Sequence, residues 1–374
     1  MVLGIPPGLF LILGALLVPL FPGRWRKPYM LFLPLAGLWY LIGAESGTFL
    51  TFSFLDYEIV PLRIDRLSLI FGYVFHIAAA LSIVYAWHND DIIEQIAGLA
   101  YAGSGIGAVF AGDLITLFIY WEAMAVTSVF LIWARRSNAA YAAGMRYLII
   151  QVTSGVLLLS GAILMAHDTG SVAFDKMTLG SLATWLILIA FGIKCAFPLL
   201  HNWLSDAYPE ATVTGTVFLS AFTTKCAVYV LARGFPGTDL LIYIGAAMAL
   251  FPVFYAIIEN DFRRLLAYAL NQQLGFMVIG IGIGTTLAIN GAVVTTSAPD
   301  ELGEIHDRTP LLVPRADWAR WLDPDLADPG DDLLVPGVPG VLDAWPVDPA
   351  VGNVRNDGPE LVRPVETPPT LLEG

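Results

Sequence analysis

The sequence predicts an all-α polytopic membrane protein of about ten transmembrane helices, with a water-soluble segment of loops and short strands behind it. Three observations carry this reading. The 374 residues are 57% hydrophobic and 14% charged, against about 25% charged in an ordinary soluble domain. Up to about Ala292 the apolar residues come in long runs separated by short polar breaks, and about 20 apolar residues cross a bilayer as a helix. Segments such as "LILGALLVPLF" have no polar face, whereas a soluble helical core needs one on most of its helices.

In order, the runs cover 4–22, 29–44, 66–87, 92–110, 113–133, 143–166, 181–200, 212–232, 239–258 and 264–290. The first run lacks a basic start; Arg24, Arg26 and Lys27 follow it instead, so it does not read as a signal peptide. By the positive-inside rule these three charges predict a cytoplasmic loop, and hence an N-terminus outside the cytoplasm in a multi-pass plasma (inner) membrane protein. Alternate threading then puts Arg135, Arg136, Arg263 and Arg264 on the cytoplasmic side, and Arg63, Arg66, Lys176 and Arg233 on the other. Cys195 and Cys226 both lie inside apolar runs and read as small buried hydrophobes rather than a disulfide framework.

Charge divides the chain in two. Of the formal net charge of −13, residues 1–292 carry −2 and residues 293–374 carry −11. The second part is rich in proline and holds no run able to span a bilayer. The expected domains are therefore a transmembrane domain over 1–292 and an acidic tail over 293–374.

Three ionisable residues stand near the middle of apolar runs: Glu122 in "LFIYWEAMAVTSVFLIWARR", Lys194 in "FGIKCAFPLLHNW" and Lys225 in "FLSAFTTKCAVYVLARG". Each costs about 2.5–3.5 kcal/mol at a helix centre on insertion scales. Mutual pairing that merely pins helices together is one explanation; a relay of buried, protonatable groups is the stronger one. Burial disfavours a charged lysine and a nearby carboxylate favours it. At about 4 Å and an effective dielectric near 20, such a pair gains about 4 kcal/mol. Closing a Glu–Lys pair then holds the proton on the lysine, and opening it releases the proton. Pro198, four residues after Lys194, removes a backbone donor and breaks the seventh helix; broken backbone at membrane depth is tolerated where it is buried or lines a wet cavity.

Other polar groups read differently. His201 falls in the loop after the break and suits an interface, with a place in the relay as the alternative. Asp113 opens a helix, where the helix dipole suits an anion. His76 reads as a packing residue. "GIGIG" at 280–284 suits close helix packing rather than phosphate binding. No cysteine cluster, glycine-rich phosphate loop or haem-type histidine pair occurs, so no cofactor, metal or redox centre is expected, and any part in electron transfer is that of moving protons.

The stretches "DLITLFIYWEAMAVTSVFLIW", "KCAFPLLHNWLSDAYPEATVTGTVFLSAFTTKCAVYVLARG" and "DFRRLLAYALNQQLGFMVIGIGIG" resemble the antiporter-like membrane subunits of respiratory complex I (NADH–quinone oxidoreductase) and of multisubunit Mrp-type cation/proton antiporters. The last two look most like the D-type component of the Mrp antiporters. The resemblance covers roughly 1–292 and implies that Glu122 is the modulating glutamate of the fifth helix. It likewise implies that Lys194 is the lysine of the broken seventh helix, and Lys225 the connecting lysine of the eighth. It also implies other membrane subunits as partners. The family has about fourteen helices in two inverted repeats, and this sequence departs from it after the tenth run. The expectation is a proton- or cation/proton-translocating subunit truncated relative to its family.

The tail resembles another family. "VVTTSAPDELGEIHDRTPLLVPRADWARWLDPDLADP" and "AWPVDPAVGNVRNDGPELVRP" are similar to the C-terminal part of the SOS-response-associated peptidases, which attach covalently to abasic sites in single-stranded DNA through an N-terminal cysteine. His306 matches that family's active-site histidine. Residue 2 is Val2 and the tail holds no cysteine, so the nucleophile is missing. The acidic tail also lacks the positive field that nucleic-acid binding requires, which argues against DNA as a partner. The alternatives to a translocating subunit are thus a DNA-crosslinking protein and an inactive join of two half-genes.

Overall fold

A computed structural model describes residues 5–54, 57–285, 295–297 and 308–310. The chain begins with α1 (Pro7–Leu17) and α2 (Gly23–Leu41), followed by an antiparallel hairpin of β1 (Gly47–Phe54) and β2 (Tyr57–Ile64). Then come α3 (Arg66–Tyr85), α4 (Ile92–Phe110), α5 (Leu114–Trp133), α6 (Asn138–Thr169), α7 (Leu182–Lys194) and the short α8 (Asn202–Ala207). The bundle ends with α9 (Val213–Ala221), α10 (Thr223–Gly234), α11 (Asp239–Ile258) and α12 (Phe262–Ile283). In the tail, β3 (Thr295–Ser297) pairs with β4 (Arg308–Pro310).

Seven helical spans among the described residues are long and apolar enough to cross a membrane: α3 to α6, α9 with α10, α11 and α12. The segment Pro7–Leu20 and α7 are apolar but shorter. The apolar part of α2 starts only after Arg24, Arg26 and Lys27. These account, in order, for the ten apolar runs. Boundaries follow local chemistry: Asp65, Asp91, Asp113, Ser137, Ser181, Thr212 and Asp261 each cap a helix through the side chain, satisfying donors that the helix leaves free. Gly170 and Gly284 end α6 and α12 at φ 71° and 77°, where a side chain would be strained.

At the centre stands α4, most of whose residues are buried, whereas few residues of α11 at the edge are. Helix α1 packs on α4 at contact distance: a Cβ at Gly8 would overlap the backbone of Gly103 and Gly107. Small residues four apart allow this approach, the usual device for joining helices where lipid supplies no hydrophobic drive.

Two elements depart from the sequence reading. The hairpin over 47–64 was not foreseen, although "GTFLTFSF" is rich in the Phe and Thr that suit strands. The eighth run is two helices rather than one, broken at Phe222 with φ −111° and ψ −62°. The expected break in the seventh run is present, but it starts ahead of the proline. Helix α7 ends at Lys194, and the chain turns through Ala196 (φ 59°) and Leu199 (φ 68°) around Pro198. Left-handed backbone at a non-glycine residue costs about 1–2 kcal/mol and persists only where its surroundings hold it.

The charges sort to two ends of the bundle. At one end, Lys27 pairs with Asp90 (2.8 Å), Arg136 with Asp91 (2.6 Å) and Arg135 with Glu210 (3.2 Å). Arg263 at that end donates to Ala211 O and Thr216 Oγ1. At the other, Arg63 pairs with Asp175 (2.9 Å) and Arg233 with Asp65 (2.7 Å). Asp65 there feels opposing influences. Burial pushes its carboxyl up, but Arg233, the Ser68 N–H and Arg63 together carry it below the usual carboxylate range.

Candidate functional site

The seventh and eighth runs are both broken, α7 packs against α10, and two lysines stand at the breaks: Lys194, fully buried, and Lys225, half-buried. Lys194, the last residue of α7, has no solvent exposure. Its Nζ donates to the backbone carbonyl of Trp121 at 2.6 Å and lies 4.6 Å from the centre of the Trp121 ring, a cation–π arrangement. Trp121 is itself fixed: its indole N–H donates to Ser154 Oγ (2.9 Å), and Ser154 donates to Ala190 O (2.7 Å), one turn before Lys194. Ser154 thereby ties α5, α6 and α7 together at the level of the lysine. From α8, the indole of Trp203 donates to Ile193 O (2.8 Å), satisfying a carbonyl that the end of α7 leaves free.

Glu122 follows Trp121 on α5 and is half-buried. Its carboxyl lies against Gly155 of α6, where a Cβ would overlap Oε1, so the absent side chain makes the room. Oε1 is buried and has no hydrogen-bond partner among the described residues. The structure brings Glu122 and Lys194 to neighbouring elements without a direct ion pair: none within 4.0 Å joins them among the described residues.

Lys225 occupies the first turn of α10, the wrong end of a helix dipole for a cation. It reaches back across the break, and Nζ donates to Ser220 O of α9 at 2.9 Å, a helix C-terminus that suits positive charge. Tyrosines fill the rest of the break. Tyr208 donates to Leu219 O (2.8 Å), and Tyr101 of α4 accepts from Thr223 N (2.8 Å) and bonds Thr223 Oγ1 (2.6 Å). Cys195 and Cys226, beside the two lysines, are buried and free.

The remaining sequence-derived candidates fall outside this centre. Pro198 sits half-buried in the turn past α7. His201 lies against Phe251 of α11, 4.6 Å between ring centres, an interface position. His76 Nδ1 bonds Gly72 O (2.7 Å) and its ring packs on Gly37. Asp113 accepts from Ile115 N, Thr116 N, Thr116 Oγ1 and Val60 N, a structural knot between α5 and the hairpin. His306 lies outside the described residues. Among the described residues no cluster of three His, Cys, Asp or Glu side chains could hold a metal ion. The sequence reading missed Tyr101, Ser154, Tyr208 and Thr223. Each is an ordinary residue of an apolar helix until tertiary packing sets it at a break; the repeated threonines of "FTTK" were the one local hint.

Apolar helices throughout, with charged side chains at two helix breaks, define a polytopic membrane protein. The family model described as NADH:quinone oxidoreductase/Mrp antiporter, TM, matches residues 111–297. The chain belongs to that family. It is 28% identical over 269 residues to NADH-quinone oxidoreductase subunit M of Pseudomonas aeruginosa, covering 63% of this chain and 52% of that protein. It is 29% identical over 257 residues to the A/B component of a probable K(+)/H(+) antiporter of Rhizobium meliloti, covering 62% and 26%. Among solved structures, the Mrp complex of Dietzia sp. superposes with a TM-score of 0.69 at 24% identity over 76% of this chain and 35% of the other. Respiratory complex I of Thermus thermophilus superposes with a TM-score of 0.65 at 20% identity over 76% and 65%. The chain spans about half the length of the curated subunit M relatives it matches. A second family model, SOS response associated peptidase (SRAP), matches residues 282–354.

Proposed function

We propose that residues 1–292 form a proton- or cation/proton-translocating unit in which Glu122, Lys194 and Lys225 relay protons. The observation that carries this is a fully buried lysine at the broken end of α7, held by a backbone carbonyl and an indole ring rather than a carboxylate. A charge so placed is costly, and such charges in membrane spans mark ion pathways. In the relay, movement of α5 against α7 closes or opens the gap between Glu122 and Lys194, which changes how firmly Lys194 holds its proton. The released proton passes toward Lys225 at the neighbouring break, with the hydroxyls of Tyr101 and Thr223 beside it. The names of the relatives support a place among other membrane subunits of a complex I-like or Mrp-type assembly in the plasma (inner) membrane. The basic residues Arg26, Arg136 and Arg264, at or between helix ends, support an N-terminus outside the cytoplasm. The tail, residues 293–374, holds no cysteine nucleophile and takes no part in DNA crosslinking.

The test is proton flux into liposomes containing the full chain, followed with a trapped pH-sensitive dye under an imposed pH gradient. Flux should be lost in Lys194→Ala and reduced in Glu122→Gln. Undiminished flux in Lys194→Ala overturns the relay.

A further inference from the structure

Along α10, Lys225, Tyr229 and Arg233 recur every four residues and so follow one side of the helix. At 1.5 Å per residue, Tyr229 lies about 6 Å beyond Lys225 and Arg233 about 12 Å beyond it, toward the end of the bundle opposite Lys27. A proton leaving Lys225 along this side of α10 meets Tyr229 first and Arg233 next.

Both residues are held firmly. Tyr229 has no solvent exposure. Its hydroxyl donates to Val109 O in the last turn of α4 and accepts from Arg233 Nε at 2.7 Å. The Arg233 side chain is 10% exposed, and a terminal nitrogen donates to both oxygens of Asp65, at 2.7 and 2.9 Å. The guanidinium also lies 5.1 Å from the centre of the Tyr229 ring and 5.9 Å from that of Phe174, within cation–π reach. Phe71 of α3 meets Tyr229 edge-on at 5.3 Å, so aromatic rings close the space around the charge. Arg63 pins Phe174 by donating to its carbonyl at 2.6 Å, and its other terminal nitrogen pairs with Asp175 at 2.9 Å.

The hydrogen bonds run the wrong way for a proton to leave. A relay member has to accept a proton on one side and give one on the other. The Tyr229 hydroxyl gives its hydrogen inward, to a backbone carbonyl, and its oxygen is engaged by Arg233. The guanidinium beyond it has five donors, no acceptor and a charge it does not lose in proteins, so it can neither take the proton nor pass one on. Its Nε edge faces Tyr229, while the neutralising Asp65 carboxylate sits at its far edge, capping α3. A proton coming from Lys225 therefore meets the positive end of the pair. An arginine so placed acts as an electrostatic barrier to protons and cations.

We propose that Arg233 is a proton barrier, sealing this end of the bundle against escape along α10. The inference rests on the relay proposed above only for the source of the proton; the seal itself rests on the contacts of Arg233.

The test is proton flux in liposomes holding the full chain, read with a trapped pH-sensitive dye under an imposed pH gradient. Arg233→Gln should raise flux about tenfold or more over the parent, and Arg233→Lys, which keeps a cation, should fall nearer the parent. Asp65→Asn breaks the same ion pair but leaves the guanidinium in place, and should raise flux by no more than about threefold. The double variant Asp65→Asn with Arg233→Gln strands no carboxylate, and serves if Arg233→Gln alone does not fold; it should be as leaky. Unchanged flux in both Arg233→Gln variants overturns the barrier. Equal leaks in Asp65→Asn and Arg233→Gln also overturn it, since loosened packing would then suffice. Adding Lys225→Ala to Arg233→Gln separates the barrier from the relay. Loss of the leak puts Lys225 on its path, whereas a persisting leak upholds the barrier and counts against Lys225. A parent without flux counts against the relay, while a leak opened by Arg233→Gln would still establish the barrier.

Discussion

Replacing Glu122 by Gln and Lys194 by Met, singly and together, isolates the interaction between the two charges at the centre of the bundle. A direct pair at about 4 Å and an effective dielectric near 20 would be coupled by about 4 kcal/mol. The structure has no such pair within 4.0 Å; Lys194 bonds Trp121 O at 2.6 Å instead. Coulomb energy falls with distance, so a separation beyond 4.0 Å lowers the coupling below about 4 kcal/mol at the same dielectric. The single variants are harder to read, since Lys194→Met removes both a charge-assisted hydrogen bond and the cost of burying the charge. The double-mutant cycle cancels those terms and leaves the pair. The assay is reversible denaturation in mixed micelles, with the four proteins compared at fixed detergent composition. The expected coupling is stabilising, above about 0.5 kcal/mol and below about 4 kcal/mol. A value within about 0.5 kcal/mol of zero would mean that distant sites simply add, and the relay would lose the interaction on which it depends. A value near 4 kcal/mol would place the two groups in contact, contrary to the observed geometry.

Tyr101→Phe should destabilise the protein by about 1–3 kcal/mol, because it strands the Thr223 N–H at the break between α9 and α10 without a partner; a loss below about 0.5 kcal/mol in the same assay refutes that role. The Asp65–Arg233 pair makes a prediction in pH. A carboxylate held below its ordinary range contributes stability that is complete above about pH 4 and is lost as pH falls through its own lower pKa. Thermal stability in detergent should therefore drop on acidification, and Asp65→Asn should be less stable at neutral pH and lack that component; identical acid limbs would refute it. Incubation of the purified chain with single-stranded DNA carrying an abasic site should give no covalent band on a denaturing gel. A shifted band that vanishes in His306→Ala would make the tail a working half.

Much of the architecture was already written in the chain. Hydrophobic run length alone marks helices such as 92–110 and 239–258, since a span needs only enough apolar residues in a row. Glu122, Lys194 and Lys225 stand out for the same reason: a charge inside such a run has to be explained wherever it ends up. Local chemistry likewise marks Asp113 at the start of a helix, where its side chain caps α5. The relations between helices were not legible. Nothing near Ser154 in sequence says that it bridges the indole of Trp121 to the last turn of α7, 33 and 36 residues away. Nor does anything say that Tyr101 fills a break 122 residues further on. The break at Phe222 carries no proline or glycine; it exists because Tyr101, Tyr208 and Lys225 satisfy the carbonyls and N–H groups it exposes. The same holds for Glu94 of α4, whose carboxylate accepts from Thr212 Oγ1 and Thr214 Oγ1 at the start of α9. Run length and charge are properties of single segments, so sequence carries them. The partner of a freed backbone group or a buried carboxylate is a property of packing, and only the tertiary structure supplies it.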